Sequence, residues 1–88
     1  MMDARFQNLI ERIQNAKFRT TRLSPGYDER EVDNLLDRLV VTLRASALPD
    51  PAELRSLRVT TRRLLRPGYV RQDVDNLLSE VAEATASL

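Results

Sequence analysis

Eleven residues, Gly26-Tyr27-Asp28-Glu29-Arg30-Glu31-Val32-Asp33-Asn34-Leu35-Leu36, recur 42 positions later as Gly68-Tyr69-Val70-Arg71-Gln72-Asp73-Val74-Asp75-Asn76-Leu77-Leu78. Seven of the eleven positions are identical without a gap, and a proline (Pro25, Pro67) precedes each copy. Chance does not produce this in 88 residues, so the chain is one unit used twice. The unit has its own physical logic. Pro-Gly marks a turn, because proline pre-sets φ and glycine accepts conformations other residues avoid. Tyrosine can bury a ring there and keep its hydroxyl wet. Asp28 and Glu31 have the spacing of a capping box. Apolar residues at Val32, Leu35, Leu36, Leu39, Val40 and Leu43 then form the stripe of an amphipathic helix. The second copy repeats the stripe as Val74, Leu77, Leu78, Val81 and Ala82. It is the weaker copy, with Val70 in place of the capping aspartate and Ala82 in place of a valine.

Around these units the periodicity predicts four helices. Asp3 caps a first helix carried by Phe6, Leu9, Ile10 and Ile13, running to about Ala16 or Lys17. Phe18 to Ser24 is a crossover, where Thr20 and Thr21 weaken helix continuation. The second helix runs from Asp28 or Glu29 to about Ala45, and Ser46 to Pro49 is the one candidate boundary. Asp50-Pro51-Ala52-Glu53 opens a third helix with a proline at its first position and a second capping box. That helix is carried by Leu54 and Leu57 and is about 10–12 residues long, enough at ~1.5 Å per residue to return the chain along the second. A second crossover covers Arg62 to Pro67, and the last helix starts at about Val70. No strand pattern is visible. The expectation is an all-α fold: tandem helix-turn-helix repeats, short–long–short–long, packed as a small up-down four-helix bundle. Its single domain, 1–88, consists of repeats 3–45 and 48–88, with the two long helices parallel about an internal pseudo-two-fold. Either the halves form a pseudo-dimer within a monomer, or the chain forms a homodimer, to which the outward-facing Val41 points, although a lone exposed valine is also common.

Composition narrows the function classes. The chain has no cysteine and no histidine. That removes disulfides, the usual zinc ligands, the thiol nucleophile and the commonest general base, so neither a metal, a cofactor nor an enzymatic activity is expected. No apolar run is long enough to span a membrane and no signal peptide precedes the first helix, which predicts a cytoplasmic address. Net charge is only +1, yet it is unevenly spread. Six arginines and no acid lie between Arg55 and Arg71, whereas five acids and one arginine lie between Asp28 and Asp37.

The acids carry the first candidate site. At ~100° per residue, Asp33 and Asp37 fall one turn apart on the shoulder of the apolar stripe. Two carboxylates at that spacing can accept a guanidinium through charge-assisted bonds. The alternative is a solvated flank paired with Arg30 or Arg44.

The pattern Phe18…Arg22…Gly26-Tyr27-Asp28…Glu31-Val32-Asp33…Leu36 resembles the N-terminal domain of DivIVA-type bacterial cell-division and polar-growth proteins. Leu48-Pro49-Asp50-Pro51-Ala52-Glu53-Leu54 is similar to the family's short first helix, so the two copies cover most of the chain. Val59 stands where the first copy has Phe18, Val70 where it has Asp28, and the family's long coiled-coil tail is not among these residues. The resemblance implies a non-enzymatic adaptor in cell division or envelope growth, cytoplasmic and associated with the membrane at the septum or pole. It also implies that Tyr27, Asp33 and Asp37 hold an arginine of a partner's flexible segment. The second copy keeps Tyr69 and Asp75 but has Ser79 for the second acid, a weakened site.

Two other partners come into view. Family members can touch membranes at the crossover, and here Leu64 and Leu65 flanked by Arg62, Arg63 and Arg66 suit an anionic lipid surface. The alternative for the leucines is closure of the bundle core. Arginine-rich helix-turn-helix units also bring DNA to mind. The long crossovers, and Asp73 and Asp75 where a reading helix would meet phosphates, argue against nucleic acid.

Overall fold

Tyr27 and Tyr69 face one another across a pair of antiparallel strands, so the two repeats meet at their tyrosines. The computed structural model describes residues 4–22, 24–57, 59–60 and 67–87, with backbone alone at 59 and 60. Its elements in chain order are α1 (Ala4–Gln14), β1 (Thr20–Thr21), β2 (Gly26–Asp28), α2 (Glu29–Arg44), α3 (Pro51–Leu54), β3 (Val59–Thr60), β4 (Gly68–Val70) and α4 (Arg71–Ala86). The strands form an antiparallel sheet in the order β1-β4-β2-β3.

This sheet overturns the all-α bundle. β1 lies in the first crossover, while β3 takes Val59 and Thr60 from the expected end of the third helix, and β-branched residues suit both strands. Strands of two or three residues show no alternation, and their partners lie in the other repeat, so local periodicity carries no trace of them. The third helix is also shorter than expected, with four residues. Asp50 caps it by accepting from Ala52 N–H, but only Leu54 is buried. The Ser56 hydroxyl then donates to the Glu53 carbonyl at 2.7 Å as the chain leaves the helix.

The register corrects the internal alignment. Val59 pairs with Tyr27 as Thr20 pairs with Tyr69, and Thr60 with Gly26 as Thr21 with Gly68. The counterpart of Phe18 is therefore Leu57, not Val59. Gly26 and Gly68 have a different role from the expected one, since neither has a positive φ. A Cβ on Gly26 would lie 2.7 Å from the Tyr69 carbonyl oxygen, and one on Gly68 would lie 2.9 Å from that of Tyr27. They are glycines because two backbones cross there.

Both long helices leave the sheet directly from their tyrosine strands. Asp28 caps α2, accepting from Arg30 and Glu31 N–H, whereas Val70 gives α4 no side-chain cap. At the far end of α2, Ser46 takes φ 58°. Its N–H donates to Leu43 O at 2.9 Å and that of Ala47 to Thr42 O at 3.1 Å, a Schellman ending on a residue other than glycine. Along α4, contacts run backwards through the first segment: Arg19 to Asp73, Arg12 to Glu80 at 2.8 Å, Arg5 to Ser87 at 3.4 Å. α1 also packs against α2. Both long helices start at the central β2–β4 pair, with Asp33 and Asp75 near their starts bonded across it, and run from there into the shared core in the same direction.

One core joins the repeats. Val32, Leu35, Leu39 and Leu43 are sealed from water, as are Val74, Leu77 and Val81 at matching positions of α4, with Leu9, Ile10, Ile13 and Leu54 closing the flanks. The fourth α4 position is Thr85, buried with its hydroxyl turned onto the Val81 carbonyl at 2.8 Å. Val41 is 68% exposed.

Candidate functional site

Asp33 and Asp37 stand one turn apart on α2, at the edge of a groove of ≈ 640 Å³ whose other edge is Tyr69. The apolar stripe turns Leu36 and Val40 into its floor, and Phe18, Ala16 and Ile13 form its far wall. Rotating the molecule about its internal two-fold gives a second groove of ≈ 440 Å³, with Asp75 and Ser79 on α4, Leu78 and Ala82 below, Leu54 and Leu57 opposite, and Tyr27 at the edge.

The tyrosines are exchanged. The Tyr69 hydroxyl donates to Asp33 Oδ1 at 3.0 Å, and the Tyr27 hydroxyl to Asp75 Oδ1 at 2.5 Å. The expected grouping of Tyr27 with Asp33 and Asp37 is thus replaced by Tyr69 with Asp33 and Asp37, and Tyr27 with Asp75. The cause is the strand crossing: β2 and β4 pass one another at the two-fold and deliver each ring to the opposite helix. No local signal in the sequence announces this. Tyr69 is further fixed by Phe18, ring centroids 5.1 Å apart and planes tilted by 56°.

Two residues missed by the sequence reading shape the electrostatics. Burial raises the Tyr69 hydroxyl to a pKa of about 12, aided by its bond to Asp33 and by the negative field of Asp33 and Glu29. Burial and the Asp75 bond likewise raise Tyr27, but the nearby Arg71 guanidinium opposes them. Glu29 and Arg71 are the matching first residues of α2 and α4. Each stands one turn before the tyrosine-bonded aspartate, and continuing the Asp33/Asp37 face back by four would have found both.

No protein-family model, curated protein or solved structure matches the chain.

The remaining candidates divide plainly. Asp33 and Asp37 are both exposed at the groove rim, and Asp37 has no ion pair among the described residues. Neither Arg30 nor Arg44 pairs with them there. The membrane candidates Arg62, Arg63, Leu64, Leu65 and Arg66 lie outside the described residues, as does the cap Asp3. Among the described residues no three His, Cys, Asp or Glu side chains converge as metal ligands, and no helix is long and apolar enough to cross a membrane. The acids lie spread along one helix face, which suits an extended cationic side chain better than an ion.

The sheet is tied to α4 from outside the grooves. Asp73 accepts the Arg19 backbone N–H at 2.9 Å and two guanidinium bonds at 3.0 and 2.8 Å. The guanidinium first, then the backbone bond, holds its carboxyl at about 2.

The tyrosines give an alkaline signature. A phenol raised in the folded state contributes stability that is complete below pH ~10, its unfolded value, and fades as pH climbs towards about 12 for Tyr69. Tyrosinate absorbance should therefore not develop at the ordinary pKa in the folded protein, and the melting temperature should fall across that window. Asp33→Asn should lower the Tyr69 transition only in part, because burial, the larger cause, remains. A Tyr69 transition at the ordinary value in the wild type would show that the Tyr69–Asp33 bond is not formed.

Proposed function

We propose that the chain is a non-enzymatic, DivIVA-like adaptor of bacterial cell division or envelope growth that docks an arginine of a partner's flexible segment in the Asp33/Asp37/Tyr69 groove. The observation that supports this reading is the Tyr69–Asp33 hydrogen bond at the rim. It fixes one carboxylate over an apolar floor, and Asp37 stands one turn away without an ion pair among the described residues. A guanidinium entering there gains charge-assisted bonds, and its methylenes cover Leu36 and Val40. The second groove has one carboxylate and a serine at the same places, so it contributes less. The reading carries with it a cytoplasmic protein recruited to the septum or pole through its partners.

Titration with short, flexible arginine-bearing peptides tests it. Binding is weak, since ordering a tail offsets much of the contact free energy. Removing one charged partner costs about 1.5–3 kcal/mol, roughly ten- to a hundredfold in affinity. Asp33→Ala should have this effect, and Asp75→Ala a much smaller one. Tyr69→Phe should weaken docking while Tyr27→Phe leaves it intact, the reverse of what ungrouped repeats would give. A folded Asp33→Ala variant that binds as well as wild type ends the proposal.

A further inference from the structure

Each short helix rests on the long helix of its own repeat and reaches across to that of the other. α1 packs along α2 and touches α4, where Arg12 Nε donates to Glu80 Oε2 at 2.8 Å and its Nη2 to Oε1 at 3.2 Å. α3 packs against α4 and meets α2 through Arg38 Nε, which donates to Glu53 Oε1 at 3.2 Å. Arg38 and Glu80 occupy one position of the repeated unit, 42 residues apart like the two tyrosines. The two ion pairs are therefore the same contact made twice, with the charges reversed. In the first the short helix brings the arginine; in the second the long helix does.

The core differs in the same sense. Leu39 and Leu43 of α2 correspond to Val81 and Thr85 of α4, and all four are buried. The larger pair belongs to one repeat and the smaller to the other. Much else at the junction is alike in both copies: the tyrosines, the aspartates that receive them, the crossing glycines, and the Val32/Val74 and Leu35/Leu77 layers. Those residues would join two like repeats as readily as two unlike ones.

We infer that the Arg12–Glu80 and Glu53–Arg38 pairs are a pairing code: each repeat is complementary to the unlike repeat and repels a like one. Pairing of the first repeats of two chains would set Arg12 against Arg38. Pairing of the second repeats would set Glu53 against Glu80. Leucine layers would also meet leucines, and Val81 and Thr85 their own kind, overfilling one core and underfilling the other. Both ion pairs are partly exposed and add little stability by themselves. Their effect lies in what they forbid, as charges flanking a coiled-coil seam select partners. The unit that fits the first repeat is one with an acid where Glu80 stands, and the chain supplies that unit itself. Exchanging attraction for repulsion at these contacts favours unlike pairing by at least about tenfold. The inference is independent of the docking reading.

Arg38→Glu/Glu80→Arg reverses the code. Each short helix then meets its own charge within the chain and the opposite charge on a like repeat of a second chain. Sedimentation at low salt across a concentration series should find the wild type monomeric into the high micromolar range, where joining the repeats in one chain favours internal pairing. The double variant should dimerise at a concentration at least about tenfold lower than the wild type, and added salt should shrink the difference. Arg12→Glu/Arg38→Glu/Glu53→Arg/Glu80→Arg reverses both members of each pair and should return the monomer. A double variant that associates no more readily than wild type overturns the inference, as does a quadruple variant that stays dimeric. Should the double variant not fold, the quadruple variant decides: a folded monomer supports the code, and failure to fold overturns it. A wild type already dimeric at low micromolar concentration overturns it as well.

Discussion

Gly26→Ala is expected to lower the melting temperature by about 10–20 °C, with Gly68→Ala close behind. Each added methyl meets a backbone oxygen of the opposite repeat, at 2.7 Å from Tyr69 O for Gly26 and 2.9 Å from Tyr27 O for Gly68. A flexible side chain could step aside, but these carbonyls belong to the central strand pair and cannot move without separating β2 from β4. Overpacking of this kind costs about 2–3 kcal/mol, and each kcal/mol shifts the midpoint of a domain this size by about 4–8 °C. The conformational account of the same glycines gives another ranking. Where a left-handed turn is the reason for glycine, asparagine is the mildest replacement; where a backbone crossing is the reason, asparagine is worse than alanine. Thermal melts of Gly26→Ala and Gly26→Asn decide between them. An alanine variant within about 2 °C of wild type would show that the strands do not cross this closely.

The glycines also mark where the sequence stops being legible. Much of what is periodic within one helix could be read from it: the stripe of α2, its Asp28 cap, the Asp50 cap of α3, and the α4 stripe apart from the exposed Ala82, though not the shortness of α3. Pairing between repeats could not, because it depends on residues 42 apart meeting in space. Thr20, Thr21, Val59 and Thr60 are recognisable as helix breakers, but nothing local says that they pair with tyrosine strands of the other copy. For the same reason the sequence identifies the members of the site, Tyr27, Asp33, Asp37, Tyr69 and Asp75, and misassigns the tyrosines. Glu29 and Arg71 were overlooked for a different reason. They form one of the four pairs of positions within the eleven-residue unit at which the copies disagree, and a reading built on agreement passes over them. In a duplicated chain, identity points to the fold and divergence to specialisation.

The other large effect separates two adjacent leucines that hydropathy treats alike. Leu35 is fully buried in the shared core, while Leu36 is half-buried and lies on the floor of the first groove. Truncating a sealed leucine loses its transfer free energy and leaves a cavity, together about 2–5 kcal/mol. A domain of this size has about 4–13 kcal/mol in all. Leu35→Ala should therefore consume a large share of the stability, and Leu77→Ala, at the same place in α4, should do the same. Leu36→Ala already has water at one edge and should cost about 1 kcal/mol, since part of its surface is exposed in the folded state. Its larger effect should be on docking, where it removes apolar contact with the methylenes of an incoming arginine. Urea unfolding and peptide titration of the three variants give both axes. If Leu36→Ala destabilises as much as Leu35→Ala and leaves binding untouched, Leu36 is a core residue and the groove has no floor. If Leu35→Ala alone unfolds the chain while Leu36→Ala alone weakens docking, one face of α2 holds the repeats together and its shoulder meets the partner.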